Sequence, residues 1–284
     1  GLDIVFQPVV LLARADVYGY EAFVRAHAPY TDPLALFAAA RRSGCEPALE
    51  IVCARLAIRA FGRLRMPGKL FLNFSGPALL ELGDLQANLI AVALEVELPP
   101  SRIIIELTER DAVGDGALLA AALAECRRVG FALALDDFGD GYSGLRRWLE
   151  FRPEFVKVDK YFIGGLHESS PKFEALRSLA RLADSLDTQL IAEGIETAAE
   201  LAVVRDLGIA LAQGYFLGRP QAQPVLAVAG EAEALLRSKQ IAVFPERGKM
   251  HLRQHCAGAL LIGAPAATPA TSNQELIAIF AKHE

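Results

Sequence analysis

Between residues 4 and 215 the chain repeats one unit: a short apolar run of strand length, a polar residue at its end, then apolar residues at helical spacing. Strands are predicted over 4–12, 18–25, 69–75, 102–109, 133–137, 155–159, 189–192 and 210–215. Helices are predicted over 33–43, 46–61, 77–96, 116–129, 142–149, 173–186 and 198–207. Gly44, Gly130, Gly208 and Pro99-Pro100 punctuate the helices. Strands alternating with helices build a parallel sheet. Eight of them in roughly 220 residues favour a closed TIM-type (β/α)8 barrel over an open doubly wound sheet.

In a parallel barrel the C-terminal strand ends form one rim, where active sites are built. Asn73, Glu106, Asp136, Asp137, Lys157, Glu193 and Gln213 all fall at such ends. One polar strand end says little, whereas polar ends at successive strands point to a shared site. On the second strand Glu21, Phe23 and Arg25 share a face, and alternation over 155–159 puts Lys157 and Asp159 on one face.

The densest stretch is 133–143, an apolar run that ends on Asp136-Asp137 and passes into a loop containing Gly139 and Gly141. Neighbouring strand residues point to opposite faces, so the two carboxylates converge only if the strand stops between them. A converged pair repels itself unless a cation or a shared proton intervenes, which means either a metal site or a raised pKa. Taken alone, the stretch also fits a solvated turn. The whole rim offers Glu21, Glu106, Asp136, Asp137 and Glu193 with one amide and one lysine, a hard oxygen set that selects Mg²⁺ or Mn²⁺ over zinc. Two such ions about 4 Å apart, bridged by the aspartate pair, would bind a phosphodiester and activate a water, with Lys157 orienting that water or neutralising charge.

Other features narrow the class. Lys and Arg number 29 against 34 Asp and Glu, a net charge of −5, which does not suit the phosphate backbone of DNA or RNA. Cys45, Cys53, Cys126 and Cys256 are scattered without C-x-x-C spacing, as expected of buried thiols in a reducing, cytoplasmic setting. No basic-then-apolar leader opens the chain, and the charge-free stretch 256–274 is broken by Pro265 and Pro269, so no membrane segment is expected. The abrupt start is compatible with a piece of something longer. His251 and His255 have ligand spacing but no third donor nearby.

Glu21-Ala22-Phe23 with Arg25, Asn73-Phe74-Ser75, Glu106-Leu107-Thr108-Glu109, the Asp136-to-Ser143 run, Lys157-Val158-Asp159, Glu193-Gly194-Ile195-Glu196-Thr197 and Gln213-Gly214-Tyr215 together resemble, in order and spacing, the EAL-domain cyclic di-GMP phosphodiesterases. The resemblance covers about residues 4–221. It implies an EAL-type barrel with one antiparallel strand that hydrolyses cyclic di-GMP to linear pGpG with two Mg²⁺ or Mn²⁺ ions. Glu21, Asn73, Glu106 and Asp136 would hold the first ion, and Asp136, Asp137 and Glu193 the second. Lys157 and Glu193 would position or deprotonate the water. Glu109 would steady the 137–143 loop. Gln7 and Arg25 would contact base and phosphate, and Asp159, Glu196 and Gln213 would complete the substrate-binding set on the same rim.

Two positions depart from the family pattern. Phe23 replaces the usual Leu and can reshape the nucleotide pocket, and Asp140 replaces a usual Thr beside the second ion. They leave a catalytically inactive cyclic di-GMP receptor as the alternative, although every metal ligand is retained. The resemblance also implies pairing of barrels as a homodimer. The expected domains are the barrel over 1–222 and, over 223–284, a helix leading away from it into the possible start of a CBS-like regulatory module.

Overall fold

The computed structural model describes residues 1–28, 32–81, 89–108, 116–139, 144–228, 230–242 and 244. Eight strands close into a barrel in chain order: β1 (Leu2–Leu11), β2 (Asp16–Ala26), β3 (Lys69–Phe74), β4 (Ile103–Thr108), β5 (Ala132–Phe138), β6 (Phe155–Val158), β7 (Gln189–Ala192) and β8 (Leu211–Ala212). β1 is antiparallel to both neighbours, β2 and β8, and every other pair is parallel. The described helices are α1 (Pro33–Arg42), α2 (Glu46–Arg63), α3 (Gly76–Glu81), α4 (Ala91–Glu95), α5 (Gly116–Arg128), α6 (Gly144–Phe151), α7 (Lys160–Ile163), α8 (Ser170–Ser185), α9 (Ala198–Asp206) and α10 (Gly230–Arg237).

Local chemistry explains several boundaries. Asp32 caps α1 by accepting from the Leu34 N–H, and Pro33 supplies a first-turn φ that needs no donor. Thr197 and Glu200 form a reciprocal capping box at the start of α9. Outward residues of β3 and β4 (Leu70, Leu72, Ile103, Ile105) pack with Ile58, Phe61 and Leu123 under the helices. Those of β6 and β7 (Val156, Val158, Leu190) pack with Trp148, Leu176 and Val204. Covered on both faces, the strands read as nearly unbroken apolar runs.

Inside the barrel, Val9, Phe71, Ile104, Ala134, Phe155, Ile191 and Leu211 form a closed apolar floor. The Tyr18 ring joins it, with centroids 6.4 Å from Phe71 and 5.9 Å from Phe155. β2 contributes Gly19 at this level, where a Cβ would lie 2.6 Å from the Lys69 carbonyl oxygen. Side chains on a strand return to the same face every second residue. Two residues from this floor, toward the mouth, the strands therefore present Gln7, Glu21, Asn73, Glu106, Asp136, Lys157, Glu193 and Gln213. β1 runs the opposite way, so its polar residue comes before its floor residue.

Several expectations need correction. β5 does not stop between Asp136 and Asp137. It continues to Phe138 with a shift in its pairing to β6, and Asp137 sits at φ +54°. β6 ends at Val158, so Asp159 is not on its inner face: it caps α7, accepting from the Tyr161 N–H at 2.8 Å. α6 runs two residues past its predicted end, to Phe151, and the predicted start over 142–143 lies outside the described residues. Of the helix predicted over 77–96, α3 and α4 are described, and 82–88 lie outside the described residues. Among the thiols Cys126 is buried as expected, but Cys45 is exposed.

α10 does not lead away from the barrel. Val228 and Ala232 are buried in the same core as Val204, and residues 1–245 form one compact unit. Arg205 donates to the carbonyls of Leu235, Ser238 and Gln240, while Asp206 accepts from the Ala242 N–H. Residues 246–284, including His251, His255, Cys256 and the CBS-like segment, lie outside the described residues. No described helix is long and apolar enough to cross a membrane.

Candidate functional site

The polar layer converges on Lys157, which is 1% exposed. Its Nζ lies 3.1 Å from Glu21 Oε2, 3.0 Å from Glu106 Oε1, 3.1 Å from Asp136 Oδ1 and 2.9 Å from Glu193 Oε1. β6 delivers the lysine, and β2, β4, β5 and the residue after β7 deliver the acids. The Glu193 N–H donates to the Val158 carbonyl, which extends the sheet by one residue and fixes where that side chain starts.

Amides orient the acids. Asn73 Nδ2 donates to Glu21 Oε1 at 2.8 Å, and Gln213 Nε2 donates to Glu21 Oε2 at 2.9 Å and to Gln7 Oε1 at 3.1 Å. Gln7 in turn donates to the Gly218 carbonyl. Gln7 and Gln213 thus form a buried brace behind Glu21. The bulge in β5 brings the aspartates together. Asp137, in the left-handed region, turns its side chain to the mouth, and its N–H donates to Asp136 Oδ1 at 2.9 Å.

The result is two groups of carboxylates with Asp136 common to both. Glu21, Glu106 and Asp136 each offer an oxygen within 4.8 Å of the others, and so do Asp136, Asp137 and Glu193. Burial pushes Glu106 well above the ordinary carboxylate value, and the Glu21 charge adds to this despite Lys157. Burial also raises Asp136 and lifts Glu193 to about 8, in both cases against the pull of Lys157. Burial pushes Glu21 upward too, but Lys157 and the amides of Asn73 and Gln213 outweigh it and leave that carboxyl low. The surrounding carboxylates overcome burial to hold Lys157 well above its usual value.

Single positive charge on the lysine does not balance five carboxylates at this depth. Glu106 Oε2 is buried and meets no donor among the described residues, a situation that costs about 1–3 kcal/mol for a polar group and more for a charged one. A divalent cation in each group would satisfy the orphaned oxygen and relieve the repulsion. The donor set, all hard oxygen with an amide alongside, fits Mg²⁺ or Mn²⁺.

A cavity of about 430 Å³ opens from this layer between β2 and the helices α1 and α2. Glu21, Asn73, Asp136 and Asp137 form one end of it, and Phe23, Arg25, Phe37 and Arg41 line its flank. Phe23 and Arg25 thus share the site with Glu21, as their spacing predicts. Arg25 lies 5.9 Å from the Phe23 ring centroid and donates to the Val24 carbonyl. Glu196 stands exposed on the rim, outside the carboxylate groups. Asp159 is occupied as a cap, and Glu109 and Asp140 lie outside the described residues.

One rim residue is missing from the sequence reading. Glu200, 5% exposed, accepts backbone N–H groups from Gly165, Glu196 and Thr197. Its signal was the Thr197-x-x-Glu200 spacing ahead of an apolar run, which marks a capping box.

A closed (β/α)8 barrel with one reversed strand and an acidic, amide-braced mouth defines the class as a TIM-type barrel with a mouth suited to two divalent cations. The chain belongs to the EAL domain family, whose model matches residues 1–220. It is 33% identical over 162 residues to the cyclic di-GMP phosphodiesterase RocR of Pseudomonas aeruginosa, covering 57% of this chain and 41% of that protein. It is 30% identical over 218 residues to an uncharacterized signaling protein of Caulobacter vibrioides, covering 76% and 27%. The chain therefore spans well under half the length of these relatives. Among solved structures, the calcium and cyclic di-GMP complex of Klebsiella pneumoniae BlrP1 superposes with a TM-score of 0.74 at 28% identity, over 80% of this chain and 57% of that one. A standalone EAL protein from Vibrio cholerae O395 with cyclic di-GMP bound also gives 0.74 at 28% identity, over 82% and 97%.

Proposed function

We propose that this chain is a divalent-metal-dependent phosphodiesterase that opens cyclic di-GMP to linear pGpG. The observation that carries the reading is the pair of three-carboxylate groups sharing Asp136, at the end of a cavity of about 430 Å³. Relatives named as cyclic di-GMP phosphodiesterases, and family structures holding that nucleotide with calcium or manganese, support the substrate and the need for a metal.

Glu21, Asn73, Glu106 and Asp136 would hold one Mg²⁺ or Mn²⁺, and Asp136, Asp137 and Glu193 a second. When bound, the ions lower the pKa of a water and stabilise the attacking and leaving oxygens. Glu193 takes the proton that this water loses as its oxygen adds to phosphorus, and the Lys157 ammonium orients the water and neutralises developing charge. One P–O3′ bond breaks, the 3′ oxygen leaves and takes up a proton, and the product carries a 5′ phosphate. Gln213 and Gln7 keep the Glu21 carboxylate aimed at the mouth. Arg25, with Phe23 beside it, faces the nucleotide from the cavity flank.

Incubating purified protein with cyclic di-GMP and Mn²⁺ or Mg²⁺, and separating cyclic from linear dinucleotide, tests the proposal. Metal-dependent appearance of pGpG is expected, with none in chelator. Tight nucleotide binding without product over a long incubation would instead assign the chain to the receptor class.

A further inference from the structure

Glu200 is a buried carboxylate that does not belong to the acidic mouth, and it ties two rim segments together. Its Oε1 accepts from the Gly165 N–H at 2.9 Å, and Oε2 accepts from the N–H groups of Glu196 and Thr197, each at 3.0 Å. Gly165 follows α7, the helix that begins directly after Asp159 and so continues the strand carrying Lys157. Glu196 and Thr197 close the segment that begins with Glu193.

The same two segments also touch at Gly194. A Cβ on that residue, which sits at φ +71°, would lie 2.5 Å from Lys160 Cβ. On its N-terminal side Glu193 is held by the Val158 carbonyl, and Ile195 donates to the Gln213 carbonyl. On the C-terminal side Glu200 supplies the fastening: its carboxylate accepts from the Glu196 N–H, the Thr197 N–H and the Gly165 N–H.

We infer that Glu200 is a positioning residue. By clasping the turn after α7 to the segment 193–197, it fixes the spacing between the lysine-bearing and Glu193-bearing sides of the mouth. This deepens the proposed function and rests on it for its catalytic meaning. A capping role alone would require only the Thr197 end of the bond set. The reach to Gly165, 35 residues away, makes the clasp tertiary.

Two measurements on Glu200→Ala and Glu200→Gln test this, neither reading turnover. Hydrogen exchange of the metal-free protein should show faster exchange at Gly165, Glu196 and Thr197 in Glu200→Ala, with β4 and β5 amides unchanged. Calorimetric titration with Mn²⁺ should show one of two sites weakened on the order of 10- to 100-fold, the range for groups that orient metal ligands, and the other retained. Glu200→Gln keeps one acceptor oxygen and the buried volume, so it should fall between wild type and Ala in both readouts and guards against a merely unfolded variant. Unchanged exchange in Glu200→Ala, or equal weakening of both Mn²⁺ sites, overturns the inference. Wild-type protein that binds no Mn²⁺ overturns the metal reading instead, and the exchange data then decide the clasp alone.

Discussion

The barrel interior holds two layers only two residues apart on the same strands, and they follow opposite rules. The floor is Val9, Phe71, Ile104, Ala134, Phe155, Ile191 and Leu211, apolar and closed. The layer above it is Gln7, Glu21, Glu106, Asp136, Lys157 and Gln213, equally removed from water but polar or charged. Identical backbone positions thus serve stability in one layer and chemistry in the other. The upper layer is self-repelling without cations, with Lys157 as its internal counter-charge, and the lower layer is indifferent to them.

Substitutions can break this contrast. The largest effect is expected from Asp136→Asn, which withdraws the carboxylate common to both groups. Product formation from cyclic di-GMP should be lost, while the melting temperature of the metal-free protein stays the same or rises. Normal turnover by this variant and by Glu21→Ala would remove the metal assignment. One layer down, Phe71→Ala should lower unfolding stability by about 3–5 kcal/mol in denaturant titrations. It should leave Mn²⁺ stoichiometry intact at temperatures where the variant is folded.

A third, smaller effect concerns pH. Glu193 is pushed up to about 8 in the metal-free fold, with Asp136 and Glu106 also raised, whereas the unfolded chain titrates near the ordinary value of about 4.3 for Glu. Between those values the folded state holds protons that the unfolded state has released. Stability of the metal-free barrel should therefore fall as pH rises from about 4.3 to 8. Mn²⁺ affinity should rise over the same window, because ligation requires the deprotonated acids. Parallel denaturation curves with and without Mn²⁺ check both signs, and a metal-free stability that climbs with pH would contradict them. The smallest effect is expected from Glu106→Gln, which resembles the protonated acid. Metal-free stability should change less than in Phe71→Ala, while calorimetry shows weaker Mn²⁺ binding.

The polar layer was legible in the sequence because strand periodicity is strict: a floor residue at Phe71, Ile104, Phe155 or Leu211 fixes the position of Asn73, Glu106, Lys157 or Gln213. Barrel closure was legible as strand count, and one reversed strand was implied by the family resemblance, although only the structure identifies it as β1. Features that depend on local backbone departures were not. The bulge at Asp137 needs a left-handed residue inside a strand, and the glycines downstream suggested a stop instead. Asp159 looked like a pore residue because alternation does not show where a strand yields to a cap. Glu200 reaches Gly165 across the fold, and the docking of α10 depends on carbonyls meeting Arg205, which no local pattern records.

The reversal of β1 has one more consequence. Leu2 pairs with Ala26 at the far end of β2, so the first residues of the strand stand beside the mouth. Polypeptide joined ahead of them would enter on the side of the barrel that carries the carboxylate layer, and not on the side of the apolar floor.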